Sequence, residues 1–87
     1  MKLAESKVEP RVLIVGAGAT GRELGRRLAE TWPVSIVDTD LDKLDQLDPS
    51  INPEHIRRTQ GDGTSRLVLE QAGITHVDYV VAVTGSD

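Results

Sequence analysis

Three glycines, Gly16, Gly18 and Gly21, stand at G-x-G-x-x-G spacing in the stretch VLIVGAGATGRELG, and Asp38 closes the next apolar run, VSIVD. Glycine is a poor helix former, by about 1 kcal/mol relative to alanine. Yet these three sit where an aliphatic run gives way to a helical pattern. The spacing has a steric and electrostatic reason. Gly16 permits a tight strand-to-helix turn, Gly18 lets a pyrophosphate approach the backbone, and Gly21 lets the helix pack against the strand. The free N–H groups and the dipole of the helix start then hold an anion. A carboxylate at Asp38 accepts hydrogen bonds from ribose hydroxyls and repels a 2′-phosphate, which favours NAD over NADP. The alternative is a structural glycine turn with no ligand. The strand before, the helix after and the acid at the end of the next strand are the contexts that argue against it.

Other chemistries fit less well. Gly16 and Gly21 have Walker A spacing, but Arg22 and Glu23 stand where that loop needs Lys and then Ser or Thr. Tyr79 is followed four residues on by Val83, not by the lysine of a tyrosine–lysine oxidoreductase pair. Asp38, Asp40 and Asp42 imitate the start of a calcium loop, but Lys43 replaces its glycine and Pro49 its final glutamate. Those aspartates read better as a cap, from Thr39 or Asp40, and first-turn acids of a helix. His55 and His76 have no partners at metal-ligand spacing and read as surface residues. Arg26 and Arg27 read as a solvated helix face. Arg22 fits either the phosphate loop or solvent.

The elements that must position these residues alternate in type. Residues 11–15 (RVLIV) read as a strand buried on both faces. A helix follows over 20–30, with Leu24 and Leu28 on one stripe and Gly21 and Gly25 on another that admits close backbone approach. Trp32-Pro33 ends it. Residues 34–37 form a second strand, and Leu41, Leu44 and Leu47 mark a second helix that stops before Pro49. A loop runs over 48–52, with Pro53 near its end. The polar HIRRTQ, residues 55–60, suits an edge strand. A third helix spans 67–72 with Gly73 as its cap, and residues 77–83 (VDYVVAV) form the last strand. Such short connections imply parallel strands and right-handed crossovers. The fold class is therefore α/β: a Rossmann-like β-α-β-α-β-α-β unit of sheet order 3-2-1-4, half of a full dinucleotide-binding domain.

Composition narrows the function. The chain has 87 residues, a net charge of −4, no cysteine, no phenylalanine, one tryptophan and one tyrosine. The core must be aliphatic, and a domain of this length buries only roughly 60–65% of its unfolded surface. Disulfides, thiolate metal sites and cysteine nucleophiles are excluded. Nothing suggests a nucleic-acid partner, and MKLAESKVEP has no apolar signal core. The expected organisation is a polar segment over 1–10 and the nucleotide-binding unit over 11–87.

The pieces VLIVGAGATGRELGRRL, VSIVDTD, QGDGTSRLVLEQAGI and VDYVVAVTGSD resemble, in that order, the regulatory domains of Trk-type potassium-uptake systems and channels, also called TrkA-N, RCK or KTN domains. The most specific element is Gly61-Asp62-Gly63-Thr64 followed by LVLEQAGI, which ordinary dehydrogenases lack at this position. The resemblance implies a regulatory domain, not an enzyme, on the cytoplasmic side of a membrane potassium transporter or channel subunit. It would bind NAD(H), or else ADP, ATP or AMP. It also implies a site made of Gly16, Gly18, Ala19, Thr20, Gly21, Asp38, Thr39, Gly61, Asp62, Gly63, Thr84 and Gly85. Asp62 would lie near the adenine, and Thr84 and Gly85 beside the phosphates or second ribose. Family members that grip ATP often carry arginine inside the glycine loop. Ala19 and Thr20 stand there instead, which tilts the expectation towards NAD(H) or ADP.

The family's domain continues with a helix and two strands beyond Thr84-Gly85-Ser86-Asp87, so the chain reads as truncated after its fourth strand. That strand is expected to form an open edge through which the chain self-associates. Two other readings stand beside the regulatory one: the cofactor half of an NAD-dependent oxidoreductase, and a domain that keeps the fold only as an assembly surface.

Overall fold

The computed structural model describes residues 11–47, 49–51 and 54–83. The chain runs β1 (Val12–Val15), α1 (Ala19–Ala29), β2 (Val34–Asp38), α2 (Leu41–Asp45), β3 (Ile56–Gln60), α3 (Arg66–Gln71), a 3₁₀ turn (Ile74–His76) and β4 (Tyr79–Ala82). The four strands make one sheet in the order β3-β2-β1-β4. Every pairing is parallel, with Val12 opposite Val34 and Tyr79, and Val34 opposite Ile56. This is the expected Rossmann-like α/β topology.

Alternation along the central strands sends side chains to both faces. Val12 and Ile14 of β1 join Val34 and Ile36 of β2, Ile56, Leu44, Leu47 and Ala29 in the core beneath α1 and α2. Leu13 and Val37 face the other way and pack with Ala72, Val68, Leu69, Ile74 and Val77 under α3. Leu13, Ile14, Ile36 and Val37 are wholly inaccessible to solvent. Two aliphatic layers thus clamp the sheet so that the carboxyl ends of β1, β2 and β3 open on one rim.

Element ends differ from the sequence reading in small, physical ways. Arg11 is not part of β1; its backbone N–H donates to the Asp78 carboxylate instead. β4 is shorter than expected because the 3₁₀ turn takes the chain to His76, and Val77 packs into the second core. Leu41 begins α2 but is half exposed, while Leu44 and Leu47 are buried. Leu67 is exposed on α3. Asp40 rather than Thr39 caps α2, its carboxylate accepting from the Asp42 N–H. Gly73 takes a left-handed conformation after α3, as expected of a cap. His55 is not a free surface residue: its Nδ1–H donates to the Ala29 carbonyl at 3.0 Å and ties β3 to the end of α1. The polar strand β3 does lie on an edge, and β4 lies on the other, with Tyr79 and Val80 exposed. Residues 1–10, Asp48, Asn52 and Pro53, and the terminal Thr84 and Gly85, lie outside the described residues.

Candidate functional site

The turn from β1 into α1 is built around Gly16. Its φ of +117° belongs to the left-handed side of conformational space, where a side chain is strained. A Cβ there would also collide with the Val83 carbonyl oxygen. The Gly16 N–H donates to the Val37 carbonyl at 2.7 Å, which stitches the turn to β2. Gly21 answers from one turn into α1: a Cβ on it would land on the Gly16 carbonyl oxygen. Gly18 is different. It caps α1 with ordinary extended angles, φ −69° and ψ −173°, and no side chain caps the helix there. Its backbone angles do not require glycine, and the residue is buried at the start of the helix.

Asp38 is locked in place by the backbone. One carboxylate oxygen accepts from the Ala17 N–H at 2.8 Å and the other from the Asp40 N–H at 2.8 Å. Partial burial works against ionisation, but these two donors and the nearby Lys43 charge outweigh it and hold the carboxyl below its ordinary range. The carboxylate is therefore charged and oriented at neutral pH. Each oxygen keeps a further lone pair for an incoming hydroxyl.

The loop after β3 is braced against the same strand. The Gly61 N–H donates to the Asp38 carbonyl at 2.9 Å, and Gln60 Nε2 donates to the Thr39 carbonyl at 3.3 Å. Asp62 folds back on its own loop, accepting from the Thr64 N–H at 2.8 Å and the Thr64 hydroxyl at 2.7 Å. Those bonds hold its carboxyl below the usual range. The absence of side chains at Gly61 and Gly63 lets the loop lie on Val68 and Val15, where a Cβ would clash.

Of the residues the sequence singles out, the structure gathers Gly16, Gly18, Asp38, Thr39 and Gly63 around one cleft of about 320 Å³ at the carboxyl ends of the strands. Gly21 and Gly61 stand behind it as spacers. Ala19 and Thr20 are exposed on the first turn of α1, beside Leu24 and Arg27 rather than in the cleft. Asp62 is exposed and engaged with Thr64. Sequence reasoning missed Lys43, which lines the cleft beside Asp38 and Thr39. The available signal was its place in the first turn of the helix that follows Asp38. Arg26 and Arg27 behave as a solvated face, both paired to Glu23 at 2.7 Å. Their hydrogen bonds, Arg26 first, pull the Glu23 carboxyl down to about 2. Among the described residues no cluster of acids and histidines could hold a metal, and no helix is long and apolar enough to cross a membrane.

A parallel sheet wound 3-2-1-4, with a glycine turn and an anchored aspartate at its carboxyl rim, defines a Rossmann-type domain. The chain belongs to the TrkA-N domain family, whose profile matches residues 12–87. It is similar to the Trk system potassium uptake protein TrkA of Halomonas elongata, with 38% identity over 78 residues. It is also similar to the TrkA protein of Haemophilus influenzae, at 35% over 78 residues, and to the TrkA homolog of Archaeoglobus fulgidus, at 30% over 77. Each alignment takes in 88% of this chain but only 16 or 17% of the relative. The chain thus spans about one sixth of the length of these relatives.

Proposed function

We propose that the chain is a regulatory module that binds an adenine nucleotide, NAD(H) or ADP foremost, and acts on a potassium-uptake protein without chemistry of its own. The single observation that carries the reading is Asp38. Its carboxylate is fixed by the N–H of the glycine loop at one oxygen and faces the cleft that the same loop lines. Adenosine ribose hydroxyls meet Asp38, the phosphates meet the glycine turn, and Thr39, Lys43 and Gly63 border the adenosine. The cleft suits such a group: charged acceptor, small glycine wall and an apolar side from Val15 lie within one concavity.

The potassium connection rests on the names of the relatives and on family membership. On this reading the working module acts at the cytoplasmic face of a membrane transporter. The outer edge of β4, which no described strand covers, is the surface this reading assigns to a second copy of the chain; sedimentation across a concentration series tests that assignment. Calorimetry with NADH, ADP and NADPH tests the ligand. Binding of the first two and weaker binding of the third is expected. No binding of any adenine nucleotide refutes the reading. Turnover of NADH with 2-oxo acids would replace it with the oxidoreductase alternative.

A further inference from the structure

Arg22 stands close to the positive end of the α1 dipole, where a cation is disfavoured, and no acid occupies the first turn of that helix. Glu23 next to it is taken by Arg26 and Arg27. Arg22 has no carboxylate partner among the described residues. Its backbone N–H closes the first turn on the Gly18 carbonyl, and its guanidinium Nη1 reaches back to donate to the Ala17 carbonyl at 2.8 Å.

That carbonyl shares a peptide group with the Gly18 N–H. Among the described residues no peptide bond is cis, so the C=O and N–H bonds of this peptide group point in opposite directions. Arg22 lies outside the cleft, in a neighbouring depression with Arg26 and Gln46. Turning the Ala17 carbonyl towards Arg22 turns the Gly18 N–H away from it. In the same loop the Gly16 N–H is spent on Val37 and the Ala17 N–H on Asp38. The Gly18 N–H has no acceptor among the described residues, and Gly18 lines the cleft. We propose that Arg22 is a positioning residue for a bound phosphate: its grip on the Ala17 carbonyl aims the unspent Gly18 N–H into the cleft. The proposal rests on the adenine-nucleotide reading of the site and adds a determinant that touches no ligand. Asp38 and Arg22 thereby hold successive peptide groups of one loop, the first serving the ribose and the second the phosphate.

Amide-resolved NMR titration of the 87-residue chain with ADP and with adenosine tests it. In the wild type the Gly18 amide shifts with ADP and not with adenosine. Arg22→Ala lowers ADP affinity about tenfold, the worth of one hydrogen bond to a charged group. It also abolishes the ADP-dependent Gly18 shift and leaves adenosine affinity within about twofold. Arg22→Lys, which still donates to the carbonyl, restores most of the ADP affinity. Arg22→Met, which keeps the apolar stem, shows the same loss as Arg22→Ala and serves if the alanine variant does not fold. Unchanged ADP affinity, an equal loss for both ligands, or lost affinity with the Gly18 shift intact each overturns the positioning role. Failure of the wild type to bind either ligand overturns the nucleotide reading and this proposal with it.

Discussion

Gly21 and Gly25 occupy equivalent positions one turn apart on the buried stripe of α1, and the structure assigns opposite outcomes to replacing them with alanine. At Gly25 a Cβ would sit 3.6 Å from Ile14 Cδ1, 3.8 Å from Ile56 Cδ1 and 3.9 Å from Ile36 Cδ1. Those are ordinary van der Waals distances to side-chain ends. The substitution gains about 1 kcal/mol of helix propensity and buries a methyl group that adds up to about 0.8 kcal/mol. At Gly21 the same propensity gain applies, but the Cβ would land on the Gly16 carbonyl oxygen. That oxygen belongs to backbone pinned by the bond to Val37. The loop must move, and overpacking against a pinned backbone costs about 3 kcal/mol, leaving a net loss near 2 kcal/mol. Thermal unfolding followed by circular dichroism reads both. Gly25→Ala is expected to raise the melting temperature by about 4–14 °C and Gly21→Ala to lower it by about 8–16 °C. If Gly25→Ala destabilises, or Gly21→Ala is neutral, the packing of α1 on β1 described above is wrong.

Three further outcomes follow from the site. Gly18→Val keeps backbone angles that valine can adopt but should abolish NADH and ADP binding by calorimetry, with circular dichroism as the folding control; a folded variant with unchanged affinity rules out the phosphate loop. Asp38→Ala should narrow the preference for NADH over NADPH, and a wild type that prefers NADPH excludes the placement of Asp38 at the ribose. Asp38, Asp62 and Glu23 all ionise more readily in the folded chain. Their contribution to stability is therefore complete above the unfolded carboxylate values near pH 4 and fades as pH falls through the folded ones, towards about 2 for Glu23. Asp38→Asn should flatten that acid limb in urea melts at pH 2–6, and added salt should weaken the exposed Glu23 part. An acid limb unchanged in Asp38→Asn contradicts the bonding of Asp38 to Ala17 and Asp40.

Strand and helix alternation, the edge placement of HIRRTQ and the glycine turn were legible because each depends on local pattern: apolar runs, period, and residues whose backbone limits are intrinsic. Gly16 shows the principle, since a left-handed turn between a strand and a helix demands glycine whatever surrounds it. The sequence also ordered the sheet, because short right-handed crossovers leave few arrangements. It could not say which spare hydrogen-bonding group meets which. That Asp38 binds the Ala17 N–H, that Arg22 turns back to the Ala17 carbonyl and that His55 reaches Ala29 are contacts between residues far apart in the chain or in solvent-facing positions. No periodicity encodes them. Nor could it separate Ala19 and Thr20, which point out of the first turn of α1, from Lys43, which faces the cleft. Which of them borders the cleft depends on how α1 and α2 pack on the sheet, a property of the assembled core rather than of any segment within it.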